Sequence, residues 1–111
     1  MTALTKHVDI AIRGVRDRFL DRLGERCLEI ETLMLAVDDR RPEQRLIKEI
    51  AMRAHKTAGI SPTLGFKDLG EIALRVESRL SDYVSAGDWP ACRQMIEELL
   101  DQMEAALDQT L

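Results

Sequence analysis

The sequence predicts an all-α fold, an antiparallel up-and-down four-helix bundle. Apolar residues recur at steps of three and four along most of the chain, which is the spacing of one face of an α-helix. Aromatic residues make up only 4%, and six glycines with three prolines are too few for the many turns of an all-β fold. At 111 residues, the chain is expected to form a single domain over residues 1–111.

Four amphipathic helices joined by short loops are predicted. They cover about residues 8–37, 42–60, 66–86 and 89–109. Gly14 leaves open a short extra N-terminal helix before the main first helix, since glycine weakens a helix interior by up to ~1 kcal/mol. Pro42 suits the first turn of the second helix, and Pro62 should end that helix, because proline has no amide to donate to the preceding turn.

Each predicted helix presents one apolar stripe to the interior. In the first helix the stripe begins at Val8, Ile12 and Val15, and in the third it runs from Leu69 to Tyr83 and Val84. Gly87 is expected to stop the third helix in a left-handed conformation, and Asp88 to cap the fourth. Trp89 should close one end of the bundle. Because every stripe is complete within one chain, the protein is expected to be a monomer.

Composition excludes several classes of function. The net charge of −4 and pI near 5.2 argue against a general nucleic-acid binder, which needs lysine and arginine to neutralise phosphates. The sequence contains neither an apolar run long enough to span a bilayer nor a secretory signal, so we expect a cytoplasmic protein without membrane contact. Cys27 and Cys92 fall on apolar stripes and lack metal-ligand spacing, so they are expected in the core, and no metal site is predicted.

The second helix carries the residue with the most evident chemistry. On a helical wheel His55 lies at the edge of the apolar stripe, and three of its four neighbours one turn away are the small residues Ala51, Ala58 and Gly59. The fourth, Met52, projects outward and could contribute to an apolar docking patch. A neutral imidazole is a competent nucleophile near neutral pH. The sequence therefore predicts an accessible, nucleophilic histidine.

Residues 54–66 (AHKTAGISPTLGF) resemble the phosphorylation segment of histidine-containing phosphotransfer (HPt) domains. The family motif has a phosphorylated His, Lys three residues on, Gly at four, a small residue at six, an apolar one at nine and Gly at ten. The positions that match here are His55, Gly59, Ser61, Leu64 and Gly65. The resemblance implies a phosphoryl carrier with no kinase domain or cofactor of its own. Its partners would be response-regulator receiver domains, which hold Mg²⁺, and a hybrid histidine kinase.

The chain departs from the family motif at two positions. Ala58 stands where the family usually has lysine, and Pro62 follows in the segment after it. Three other lysines are candidates for contact with the phosphoryl group or the partner: Lys56, Lys48 and Lys67. Lys56 lies ~100° around the helix from His55, and Lys48 shares the azimuth of His55 but lies two turns away, about 10 Å.

One further residue is implied by the related phosphotransfer domain of chemotaxis histidine kinases. There a Glu on the third helix contacts a ring nitrogen of the phosphorylated His, and the same offset leads to Glu77 in this chain. A carboxylate that accepts the proton of one ring nitrogen fixes the tautomer and leaves the other nitrogen free to attack.

Two alternatives to phosphotransfer stay open at the level of sequence. Since lysine is missing at position 58, the chain could be a docking module that binds receiver domains without carrying phosphate. It could also be a helical adaptor for a partner unrelated to signalling. The first alternative predicts that Ala58→Lys creates transfer, and the second that His55→Ala leaves partner binding intact.

Overall fold

Four α-helices in a ring make up the computed structural model, which describes residues 3–109 and the side chains of residues 7–109. They are α1 (Ala3–Ala36), α2 (Gln44–Ile60), α3 (Lys67–Leu80) and α4 (Trp89–Asp108). Each helix packs against the next in the chain, and α4 closes the ring on α1. The predicted all-α four-helix bundle is confirmed. In residues 3–109, no helix combines the length and apolar composition needed to cross a membrane.

The core is built from the predicted apolar stripes. Leu23, Ile30, Ile50, Val76 and Leu99 are fully buried, one or more from each helix. Cys27 and Cys92 are also buried, as predicted, and neither forms a disulfide. Burial and the neighbouring carboxylate of Glu31 raise the pKa of the Cys27 thiol to about 11, so this group stays a neutral thiol at neutral pH. Both cysteines therefore act as small apolar core residues.

The first helix differs from the prediction in two ways. It is continuous through Gly14, so the extra N-terminal helix suggested by that glycine is wrong. At 34 residues, α1 is also much longer than its neighbours, about 50 Å at 1.5 Å per residue. Its buried residues begin only at Phe19, and Val8 and Ile12 are exposed. The apolar stripe does continue toward the N-terminus, but the other helices are too short to cover it.

The third helix ends six residues earlier than predicted. Gln44 at the start of α2 holds the segment that follows: its side-chain amide donates to the carbonyl of Val84 at 2.8 Å and accepts from the Val84 amide at 3.1 Å. The backbone of Val84 therefore cannot take part in helical hydrogen bonds. Val84 is buried as predicted, but Tyr83, expected in the interior, is 75% exposed on this loop.

The two turn residues predicted between α3 and α4 behave differently from expectation. Gly87 is not left-handed, since Gly65 is the only residue of the described range with positive φ, at 90°. Asp88 does occupy the N-cap position of α4, but its side chain makes no capping hydrogen bond and instead pairs with Arg79 at 3.4 Å. Trp89 is fully buried at the end of the bundle, as predicted, and its indole N–H donates to Asp39 at 2.8 Å.

The α2–α3 connection brings those two helices into close contact. The second helix ends at Ile60, as predicted from Pro62, although it begins at Gln44 rather than at Pro42. Residues 61–65 form the turn, and the Pro62 ring packs directly on Gly70 of α3. A Cβ on Gly70 would lie 2.8 and 2.9 Å from two carbons of that ring. The absence of a side chain at position 70 thus allows this close approach.

We expect Gly70→Ala to destabilise the protein by roughly 1–3 kcal/mol, because the added methyl overlaps the Pro62 ring and must displace the turn. Alanine is otherwise the better helix former. Gly24→Ala on α1 is the matched control, since its Cβ would have no described neighbour within 4 Å, and should be neutral or stabilising by up to about 1 kcal/mol. Urea denaturation of both variants measures the difference, and equal stabilisation would contradict the contact.

Candidate functional site

His55 projects from the outer face of α2, five residues before the helix ends at Ile60. Its chain neighbours on the inner face, Ala54 and Thr57, are fully buried, so the helix turns the His55 ring outward. The side chain is 68% exposed. The Thr57 hydroxyl donates to the Arg53 carbonyl at 2.9 Å, which satisfies the polar group buried beneath this segment. The exposed position of His55 predicted by the helical wheel is confirmed.

The structure brings His55 and Glu77 into direct contact. The Nδ1 atom of His55 lies 2.6 Å from Oε1 of Glu77, whose side chain is 29% exposed. An ionised carboxylate can only accept, so Nδ1 carries the proton and donates it, and in the neutral imidazole Nε2 then keeps its lone pair. The pair spans 22 residues and joins α2 to α3. The ring is thereby oriented with Nδ1 toward α3 and Nε2 away from it.

Two contacts set the register of α2 against α3. His55 meets Glu77, and two turns further on Pro62 meets Gly70, as expected for antiparallel helices. By this register, Ala58 lies opposite Leu74, whose side chain is 59% exposed. Position 58, where the family motif has lysine, is therefore bordered by an apolar side chain that was absent from the predicted site. No sequence signal identifies Leu74, because its proximity depends on how the two helices align.

The predicted neighbours of His55 on α2 are placed as expected. Met52, one turn before His55, is 44% exposed. Gly59, one turn after it, is exposed, and a Cβ there would have no described neighbour within 4 Å. The bare backbone at Gly59 thus serves no internal packing contact, and it leaves one side of the imidazole open. On α2, Met52 and Gly59 therefore border His55, and on α3 Leu74 lies one turn before its partner Glu77.

The three candidate lysines lie in different surroundings. Lys56 is exposed on the side of α2 that faces α1, in a cleft with Arg22 and Arg26. Lys48 lies two turns from His55, in a hollow beside Ser81 and Tyr83.

Lys67 is not brought to the site. It opens α3 and borders a groove with Gln102 and Ala105 of α4. Ten residues separate it from Glu77, roughly 15 Å along the helix. The turn at residues 61–65 reverses the chain at the end of the bundle, which is why a lysine close to His55 in sequence is distant from it in space.

The comparisons with known proteins identify the family. A family model described as Hpt domain matches residues 14–109, nearly the whole chain. Neither the curated proteins nor the solved structures yield a match. The chain therefore belongs to the Hpt domain family. Membership implies histidine phosphotransfer in phosphorelays, with receiver domains and histidine kinases as the classes of partner.

Gly59 offers a test of access that is separate from folding. We expect Gly59→Ala to stabilise the protein by up to about 1 kcal/mol, because alanine is the better helix former and the added methyl meets nothing within 4 Å. The same methyl stands beside the His55 ring, so transfer from a protein donor should slow. Thermal unfolding and phosphotransfer rate are measured on the same variant. A parallel loss of both stability and transfer would contradict this assignment.

Proposed function

We propose that His55 is the phosphorylated residue of this protein, accepting a phosphoryl group from a receiver-domain aspartate and passing it to another receiver. The observation that carries the proposal is the exposed imidazole with Nδ1 held by Glu77 at 2.6 Å. This contact leaves Nε2 as the free nucleophile. The family match supports the same chemistry at the level of class.

In the transfer step one bond forms and one bond breaks. The lone pair of Nε2 attacks phosphorus, the P–O bond to the aspartate breaks, and the aspartate leaves as a carboxylate. Since Nδ1 keeps its proton, the ring becomes a cation bonded to phosphorus, and the Glu77 carboxylate stabilises that charge. In the reverse direction, transfer to a second receiver releases a neutral imidazole, still hydrogen-bonded to Glu77.

This protein and its partner make different contributions to the transfer. The receiver is expected to supply the acidic pocket and Mg²⁺, so this chain acts as a carrier rather than as an enzyme. Met52, one turn before His55 on α2, and Leu74, one turn before Glu77 on α3, are both exposed apolar side chains. Such a patch around a reactive side chain is suited to a protein partner that excludes water from the reacting atoms. The proposed partners are receiver domains of response regulators and of a hybrid histidine kinase.

The proposal is tested by mixing the protein with receiver domains that have been phosphorylated with labelled acetyl phosphate. Wild-type protein should gain label that is lost in acid and stable in base, as expected for a phosphoramidate bond. Absence of such label with every receiver tried would reject the proposal.

A docking module without phosphate is the second candidate, and it is favoured by Ala58. This residue is half-buried against the core and lies opposite the apolar Leu74, so the side chain at this position carries no charge. If this candidate holds, wild-type protein should bind receivers without taking up label, and Ala58→Lys should restore transfer. Rapid labelling of the wild type would eliminate it.

A further inference from the structure

The side of α2 turned away from Glu77 carries a concentration of positive charge. Lys56 lies in a cleft of about 140 Å³ between α1 and α2, together with Arg22 and Arg26. The Arg53–Glu29 ion pair at 2.5 Å fixes the register of these helices and places Arg26 opposite Lys56. Arg22 follows one turn away on α1. All three cations thus lie beside the turn of α2 that bears His55.

The cleft also holds the carboxylates of Glu25 and Glu29, but its four cations outnumber them. Arg53, which also lines the cleft, is paired with Glu29 and Glu49. Arg22, Arg26 and Lys56 form no ion pair with any residue of the described range. Burial and the adjacent charge of Arg22 lower the pKa of Arg26, against the opposing effect of the nearby carboxylates of Glu29 and Glu25. The cleft therefore keeps an excess of positive charge, which an anionic partner would complement.

The orientation of His55 directs the reaction toward this side. The two nitrogens of an imidazole point away from each other, and Nδ1 points to Glu77 on α3. A group bonded to Nε2 therefore lies on the side of α2 away from α3, which is the side that continues around the helix to Lys56. A receiver that delivers phosphorus to Nε2 must approach over this surface.

We propose that the cleft formed by Arg22, Arg26 and Lys56 is the docking site for the acidic rim of the receiver's phosphoacceptor pocket. The inference rests on the proposed function, since it assumes that His55 exchanges phosphoryl groups with a receiver. A site that holds a phosphoacceptor aspartate and further carboxylates for Mg²⁺ is anionic, so the charges are complementary. Arg22 and Arg26 on α1, together with Lys56 on α2, then provide the positive charge that is missing at Ala58.

The test uses charge reversal at the two cations of the cleft that are exposed, Arg22 and Lys56. We expect Arg22→Glu combined with Lys56→Glu to lower kcat/KM for transfer from a phosphorylated receiver at least about tenfold at low salt, because electrostatic steering of association is lost. The receiver is whichever one labels the wild type fastest. The dependence of the rate on salt should flatten as well. The neutral pair Arg22→Gln and Lys56→Gln should give an intermediate rate.

Arg41→Glu combined with Arg45→Glu is the matched control. It changes the net charge by the same amount at two exposed positions, of which Arg41 precedes α2 and Arg45 lies in its first turn, roughly 15 Å along the helix from His55. Its transfer rate should stay within about twofold of wild type. Equal rates for the reversed pair and the control would overturn the docking site.

Phosphoramidate separates this inference from the proposed function. It phosphorylates an exposed imidazole without a protein partner, so wild type, the reversed pair and the control should all be labelled at the same rate. If wild type takes label from phosphoramidate but from no receiver, the proposed function fails. If wild type exchanges with a receiver and the reversed pair does so equally well, only the docking site fails. Faster hydrolysis of the phosphorylated reversed pair, with unchanged transfer to the receiver, would assign the cations to the phosphoryl group instead.

Discussion

Replacement of His55 by glutamine is expected to abolish phosphoryl uptake and to leave the fold intact. The imidazole provides the only nucleophile of the proposed step, and glutamine has no nitrogen lone pair available for attack. Because the His55 side chain is 68% exposed and its one described partner is Glu77, the change in unfolding free energy should stay within about 0.5 kcal/mol. Incorporation of label from a phosphorylated receiver measures the first effect, and urea denaturation the second.

The chain provides its own control for this experiment. It contains two histidines, and the other, His7, lies exposed on α1, far from Glu77 in sequence and outside the bundle core. His7→Gln should take up label at the wild-type rate. Acid-labile label on the His55→Gln variant, or loss of label on the His7→Gln variant, would place the phosphorylation elsewhere.

Replacement of Glu77 by alanine is expected to slow transfer by roughly 10–100-fold without removing the site of phosphorylation. The carboxylate holds the proton on Nδ1 and stabilises the ring cation that forms when Nε2 bonds to phosphorus. Without it, the imidazole rotates freely and its proton is distributed between the two nitrogens. Glu77→Gln keeps an acceptor oxygen at the same distance but removes the charge, so its rate should lie between those of wild type and Glu77→Ala.

A spectroscopic measurement distinguishes a positioning role from a merely structural one. Nitrogen chemical shifts of the His55 ring should report the Nδ1–H tautomer in wild type and a mixture of tautomers in Glu77→Ala. Glu71→Gln is the control on the same helix, because Glu71 lies on the side of α3 that faces α4. It should change neither the tautomer nor the rate. An unchanged tautomer in Glu77→Ala would remove Glu77 from the mechanism.

Local patterns were sufficient to predict the half of the site that lies on α2. The apolar spacing around Ala54 and Thr57 predicts that His55 faces outward, and Pro62 predicts where the helix ends; the structure agrees on both points. The spacing known from the related domains predicts a contact between His55 and Glu77, 22 residues further on. The geometry confirms this contact, and the role of Glu77 stays a prediction. Each of these inferences depends on positions within one helix or on a spacing inherited with the fold.

What the sequence could not predict depends on contacts between distant residues. Tyr83 follows a helical stripe, but α3 ends at Leu80, and hydrogen bonds between Gln44 and Val84, 40 residues apart, hold the segment beyond it in a loop. Leu74 lies across from Ala58, and Arg22 and Arg26 share a cleft with Lys56, only because of the alignment between neighbouring helices. A periodic pattern indicates which face of a helix is buried and carries no information about that alignment.

Trp89 gives this molecule an intrinsic optical probe. It is the single tryptophan of the chain, shielded from water, with its indole N–H bonded to Asp39 at the end of the bundle formed by the α1–α2 connection and the start of α4. Its fluorescence emission therefore reports whether the four helices are assembled. Because the indole lies apart from the His55 surface, every substitution considered above can be checked for correct folding by emission wavelength, independently of whether it carries phosphate.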